Sequence, residues 1–146
     1  PFVDAVGALA ELQREGKIRH IGVSNVTLDQ PREAQSIVPI VSVQNLYNLT
    51  QRDDEATLQA CTEQGIIYDP FFPLAIGQLG QPGGALDAIA RRHQATPAQI
   101  ALAWLLARSP QMLVIPGTSS RQHLEENIAA GAIHLADAEV AEIEAG

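Results

Sequence analysis

Apolar positions along the chain switch between two spacings, one of a helix face and one of a short buried run. Over residues 2–15, FVDAVGALAELQRE, the positions Val6, Leu9 and Leu12 recur with charges between them, which predicts a helix stopped by Gly16. IRHIGVS, residues 18–24, is apolar without helical length and reads as a buried strand. Thr27 with Gln30 makes a capping box for a helix to about residue 37. Residues 40–44 form a second strand, 53–64 a helix closed by Gly65, and 66–71 a third strand.

The alternation continues. Residues 85–93 predict a helix, and Thr96-Pro97-Ala98-Gln99 opens the next one with an N-cap, a first-turn proline and a capping-box glutamine. That helix carries Ile100, Ala103, Trp104 and Ala107 on one face. Residues 112–115 predict a fourth strand, 120–130 its helix, and 137 onward a final short helix. Apolar strands alternating with helices imply an α/β fold of parallel βαβ units with helices covering the sheet. Pattern alone leaves a doubly wound open sheet or part of a (β/α)8 barrel, since a whole barrel needs eight strands and four are present. The glycine-rich AIGQLGQPGG, residues 75–84, lacks the G-x-G-x-x-G spacing and reads as a connection rather than a lid.

Composition narrows the function classes. A length of 146 residues suits one domain, and the longest apolar run, residues 100–107, is too short to span a bilayer. The first residues carry no basic region followed by an apolar stretch, so a cytoplasmic location is expected. The single Cys61 has no internal disulfide partner and fits a helical core position. A formal charge of −8 argues against nucleic acid as a general partner, while leaving a local phosphate site open.

In parallel α/β folds the working face lies at the C-terminal ends of the strands. Here the ends read Ser24-Asn25, Gln44-Asn45, Phe71-Phe72-Pro73-Leu74 and Gly117-Thr118-Ser119-Ser120. Taken singly, each has a bland reading: Ser24 and Asn25 turn the chain, Gln44 satisfies backbone, and Ser119 with Gln122 is a capping box. Taken together, amides and hydroxyls suit a carboxamide, a flat ring suits a heterocycle, and a helix N-terminus suits a phosphate. That set describes a nicotinamide dinucleotide.

GKIRHIGVSN (residues 16–25), VQNLYN (43–48), PFFPL (70–74) and IPGTSSRQHLEEN (115–127) resemble, in order and spacing, the C-terminal half of the aldo-keto reductases, across nearly all of the chain. The resemblance implies the C-terminal half, about four βα units, of a TIM (β/α)8 barrel, with residues 1–146 as strands five to eight and their helices. It implies an NAD(P)H-dependent oxidoreductase acting on small aldehydes or ketones, with NADP(H) preferred and NAD(H) compatible. By the same resemblance Ser24, Asn25 and Gln44 bind the nicotinamide carboxamide and Phe71 stacks on its ring. Phe72, Pro73 and Leu74 continue along the pyrophosphate, and Gly117, Thr118, Ser119, His123, Glu126 and Asn127 hold the adenosine end.

Two departures stand out. Gly117 and His123 occupy positions where many relatives carry lysine and arginine, and a histidine lacks the bidentate fork that grips a phosphate. Arg121, two residues away on the helix, faces elsewhere. The family's catalytic Asp, Tyr, Lys and His fall on its first four strands, and Tyr47, Tyr68, His20 and His93 are poor substitutes. The resemblance therefore leaves two classes: the cofactor-binding half of a reductase, inactive alone and open to self-association or a complementing N-terminal half, or a non-catalytic nucleotide-binding or regulatory protein.

Overall fold

The computed structural model describes residues 1–80 and 86–145. Residues 81–84 of the expected connection over 75–84, and the first residue of the helix expected over 85–93, lie outside the described residues. Helix α1 (Phe2–Arg14) leads to strand β1 (Ile21–Ser24), helix α2 (Gln30–Gln35), strand β2 (Ile40–Gln44), helix α3 (Glu55–Gln64) and strand β3 (Ile67–Tyr68). A 3-10 segment (Ala75–Gly80) precedes α4 (Asp87–Arg92), α5 (Pro97–Arg108) and α6 (Arg121–Ala129). A second 3-10 turn (Ala130–Ala132) then joins α7 (Asp137–Ala145).

The sheet runs β1-β2-β3 with both pairings parallel. Gly22 lies where β1 crosses Ser42 so closely that a Cβ would sit 2.2 Å from the serine Oγ, a contact only glycine permits. Gly65 closes α3 in the left-handed region at φ 68, the helix stop its sequence position predicts.

Several elements are shorter than the sequence predicts. Gln13 Nε2 binds the Arg19 carbonyl at 2.7 Å, so the first strand starts at Ile21 and His20 stands outside it. The fourth strand is reduced to one parallel bridge, Tyr68 to Met112, held by Tyr68 N–H on Gln111 O (3.0 Å) and Leu113 N–H on Tyr68 O (2.9 Å). The cause is the neighbour: β3 has two residues, and Pro70 and Pro116 bring no N–H to extend the ladder. Phe71 likewise sits beyond β3 and bridges Leu46 alone.

Helix boundaries moved for equally local reasons. Thr27 N–H does reach Gln30 Oε1 at 2.8 Å, yet α2 itself starts at Gln30, with Pro31 in its first turn. Before α6 the Thr118 hydroxyl accepts Ser120 N–H at 3.0 Å, and Ser120, extended at φ −92, caps His123 N–H at 3.3 Å. The expected Ser119–Gln122 box is thereby displaced one residue, and Gln122 binds Glu126 at 2.8 Å instead. At α5 both halves of the Thr96–Gln99 capping box are present.

The core gathers Val23 and Val43 from the sheet, Tyr47 from the loop after β2, Leu58 and Cys61 from α3, and Ile100, Trp104 and Leu105 from α5. Helix α5 is buried all round from Ile100 to Leu105 because it lies between the first 3-10 segment, α4, α6 and the second 3-10 turn. Ala107, expected on its buried face, emerges exposed where those neighbours end. In α1 the buried positions are Val6 and Ala10, with Leu9 exposed and Leu12 half-buried. Burial raises the Cys61 thiol to about 11, with the Asp54 charge adding to it, as suits a core cysteine. Among the described residues no helix is long and apolar enough to cross a membrane.

Candidate functional site

Strands β1 to β3 end side by side, and their last residues are held by a network of buried amides and carboxylates. Asn45, 5% exposed, follows β2 and clamps the backbone after β1 from both sides: its Oδ1 accepts Val26 N–H at 3.0 Å and its Nδ2 donates to Val26 O at 2.8 Å. Its own carbonyl accepts Phe71 N–H at 3.0 Å. One residue thus ties together the ends of all three strands. Between the clamp and β1, Asn25 takes φ 53, and its N–H donates to Gln44 O at 3.0 Å.

Behind Asn45 stands Asp54 at the start of α3. It accepts from Asn45 Nδ2 (2.7 Å), the Tyr68 hydroxyl (2.6 Å) and the Thr57 hydroxyl (2.6 Å). Burial, and then the hydrogen bond to Asp54, raises Tyr68 far above the ordinary phenol range. Tyr47 stacks on Trp104 with ring centroids 6.0 Å apart and donates to Glu55, and it too is raised, burial being the larger cause. Asn48, fully buried, donates to Phe72 O at 3.0 Å and so supports the left-handed turn at Phe72, φ 54.

Beside these strand ends opens a groove of about 940 Å3. One wall is Phe71 to Leu74 with Gly77, the other Ile115 to Thr118 with Gln122, His123, Glu126 and Asn127 of α6, and Thr96 and Ala98 close one side. Phe71 and Phe72 meet edge to face at 5.4 Å, and Phe72 is half-exposed. Gln99 Nε2 donates to Glu126 O at 3.0 Å and fixes α6 against α5. No lysine or arginine is among the lining residues, and Arg121 is turned away to Glu125 at 3.0 Å.

Nine of the thirteen residues expected at a nucleotide site therefore line one groove: Phe71, Phe72, Pro73, Leu74, Gly117, Thr118, His123, Glu126 and Asn127. Ser24, Asn25 and Gln44 stand apart from it on the neighbouring strand ends, and Ser119 does not line it. Gly77, expected in a plain connection, is part of the wall. Asn45, Asn48, Asp54 and Asp69 are the polar residues that sequence reasoning left without a role; only the motif VQNLYN, which contains the two asparagines, hinted at them. Tyr47, Tyr68 and His93 are engaged with Glu55, Asp54 and Glu139, and none lines the groove.

A parallel sheet with helices on one side and a groove at its strand ends is the architecture of a partial β/α barrel. The chain belongs to the aldo/keto reductase family, which it matches over residues 1–145. It is 51% identical over 129 residues to pyridoxine 4-dehydrogenase of Escherichia coli, covering 88% of this chain and 45% of that protein. An uncharacterized oxidoreductase of Schizosaccharomyces pombe is 48% identical over 135 residues, 92% of this chain and 44% of that protein. An aldo-keto reductase from Klebsiella pneumoniae, solved in complex with NADPH, superposes with a TM-score of 0.86 at 32% identity, over 99% of this chain and 54% of that one. The chain spans about half the length of the curated relatives it matches.

Proposed function

We propose that residues 1–146 are the nucleotide-binding half, strands five to eight, of an NADPH-dependent aldo-keto reductase that reduces small aldehydes or ketones. The observation that carries this reading is the single groove joining the Phe71–Phe72 wall to the mouth of α6. In it a flat ring, a row of backbone and hydroxyl groups and a helix N-terminus follow one another in the order a dinucleotide requires. NADPH, when bound there, would supply the hydride for the carbonyl carbon. The chain's own part is to hold and orient: Ser24, Asn25 and Gln44 take the carboxamide, Phe71 backs the ring, and Thr118, His123 and Asn127 receive the adenosine end.

The acid that gives a proton to the carbonyl oxygen comes, in this proposal, from four further βα units, joined to this chain or supplied by a second one. Bare apolar faces support that completion. Val41, Ile67 and Leu113, in or beside the strands, are each 38–51% exposed, and Leu124 and Ile128 of α6 are 51% and 71% exposed. A second reading, nucleotide binding without chemistry, draws on the groove's lining, which holds no tyrosine or lysine among the described residues. The coding sequence bordering residue 1 separates the two: in-frame segments supplying Asp, Tyr, Lys and His at strand ends favour the reductase.

In the full-length protein Gln44→Ala is expected to weaken NADPH binding roughly threefold to tenfold, the value of one neutral hydrogen bond. A fluorescence titration with unchanged affinity removes Gln44 from the site. His123→Arg is expected to raise the NADPH to NADH affinity ratio by about tenfold or more, since a guanidinium adds a charge-assisted pair of bonds to a phosphate. An unchanged ratio places the 2′-phosphate elsewhere.

A further inference from the structure

Gln44 and Asp69 are neighbours on the ladder between β2 and β3. Val43 pairs with Tyr68, so the next residue on each strand projects to the same side of the sheet. There Gln44 Nε2 donates to Asp69 Oδ1 at 2.7 Å. A carboxylate accepts hydrogen bonds and donates none, so the pair admits one orientation of the amide: NH2 toward Asp69, which leaves Oε1 as the end that can meet a ligand. An unpartnered glutamine could present either end to a ligand.

We infer that Asp69 is a positioning residue, which holds the NH2 of Gln44 and thereby makes its Oε1 the acceptor offered to the amide N–H of a nicotinamide carboxamide. This inference rests on the assignment of Gln44 to the carboxamide. The backbone N–H of Asp69 is bound to Val43 O at 2.9 Å, while its carboxylate accepts from Gln44 Nε2. A site with a committed acceptor rejects a ligand that lacks the matching donor, since the acceptor is then left unpaired.

The test compares NADPH with reduced 3-acetylpyridine adenine dinucleotide phosphate, in which a methyl replaces the carboxamide NH2, by calorimetric titration of the full-length protein. The wild type is expected to bind NADPH about threefold to tenfold more tightly than the analogue. Asp69→Asn keeps the side-chain shape but can donate as well as accept, so both orientations of the Gln44 amide become available and the preference falls toward unity. A purely structural role for Asp69 would weaken both ligands alike and leave the ratio unchanged. An unchanged ratio in Asp69→Asn, with Gln44→Ala still weakening NADPH, overturns the role of Asp69 and keeps that of Gln44. No effect of Gln44→Ala on either ligand overturns both.

Discussion

Residues 1–146 expressed alone are expected to sediment as associated species and to leave NADPH oxidation with a small aldehyde at the background rate. The association follows from where apolar surface lies. Val41, Ile67 and Leu113, in or beside the strands, are 38–51% exposed. Helix α6 buries no side chain at all and carries Leu124 and Ile128 one turn apart, the latter 71% exposed. Among the described residues β1 pairs only with β2, so its other edge has free N–H and C=O groups that another strand can take. An apolar face, a bare helix stripe and an open edge on one small domain draw a second copy or a complementing half. Sedimentation velocity showing a compact monomer across the micromolar range would count against this picture. The loss of turnover has a separate cause: among the described residues no tyrosine or lysine lines the groove, and Tyr47 and Tyr68 are held as buried donors to carboxylates. Measurable reduction by residues 1–146 alone would refute the assignment of the proton donor to further βα units.

Asp54→Ala in the full-length protein is expected to cost about 3 kcal/mol of stability. Asp54 accepts three hydrogen bonds from donors almost wholly withdrawn from water: Tyr68 at 0%, Thr57 at 2% and Asn45 at 5% exposure. Leaving a buried donor unpaired costs roughly 1–3 kcal/mol, and the lower end applies because Asp54 is itself half-buried and water can enter the space left behind. The loss spreads to the strand ends, since Asn45 clamps Val26 and receives Phe71 N–H. NADPH affinity is therefore expected to fall together with stability, whereas Asp54→Asn, which retains one acceptor oxygen, loses less of both. Urea denaturation with a change below about 1 kcal/mol for Asp54→Ala would show that the hub is replaceable by solvent.

The two predictions draw on different depths of the molecule, and they differ in how far the sequence announces them. Exposed apolar faces were legible from the count of four strands where a barrel needs eight. The Asp54 hub was not legible, because Asn45, Asp54, Thr57 and Tyr68 are spread over three elements and none carries a spacing signal. The groove lies between these cases. Its walls were named from two strand ends far apart in the chain, Phe71–Leu74 and Gly117 onward, and the structure brings nine of those residues onto one surface. Ser24, Asn25 and Gln44 lie on strand ends that the groove does not reach.

By itself the sequence determined the order of helices and strands, the parallel α/β class and the polar character of the strand ends. Those depend on local spacing: the stop at Gly65, the box at Thr96 and Gln99, and apolar runs too short for helices. Only the tertiary structure decided which backbone groups found partners. The two-residue β3 left its neighbour a single bridge at Met112, and the Thr118 hydroxyl moved the cap of α6 from Ser119 to Ser120. A carboxylate beside Gln44 took the NH2 end of its amide. Each of these is a competition for one hydrogen bond between groups that proximity in space, not order in the chain, brings together.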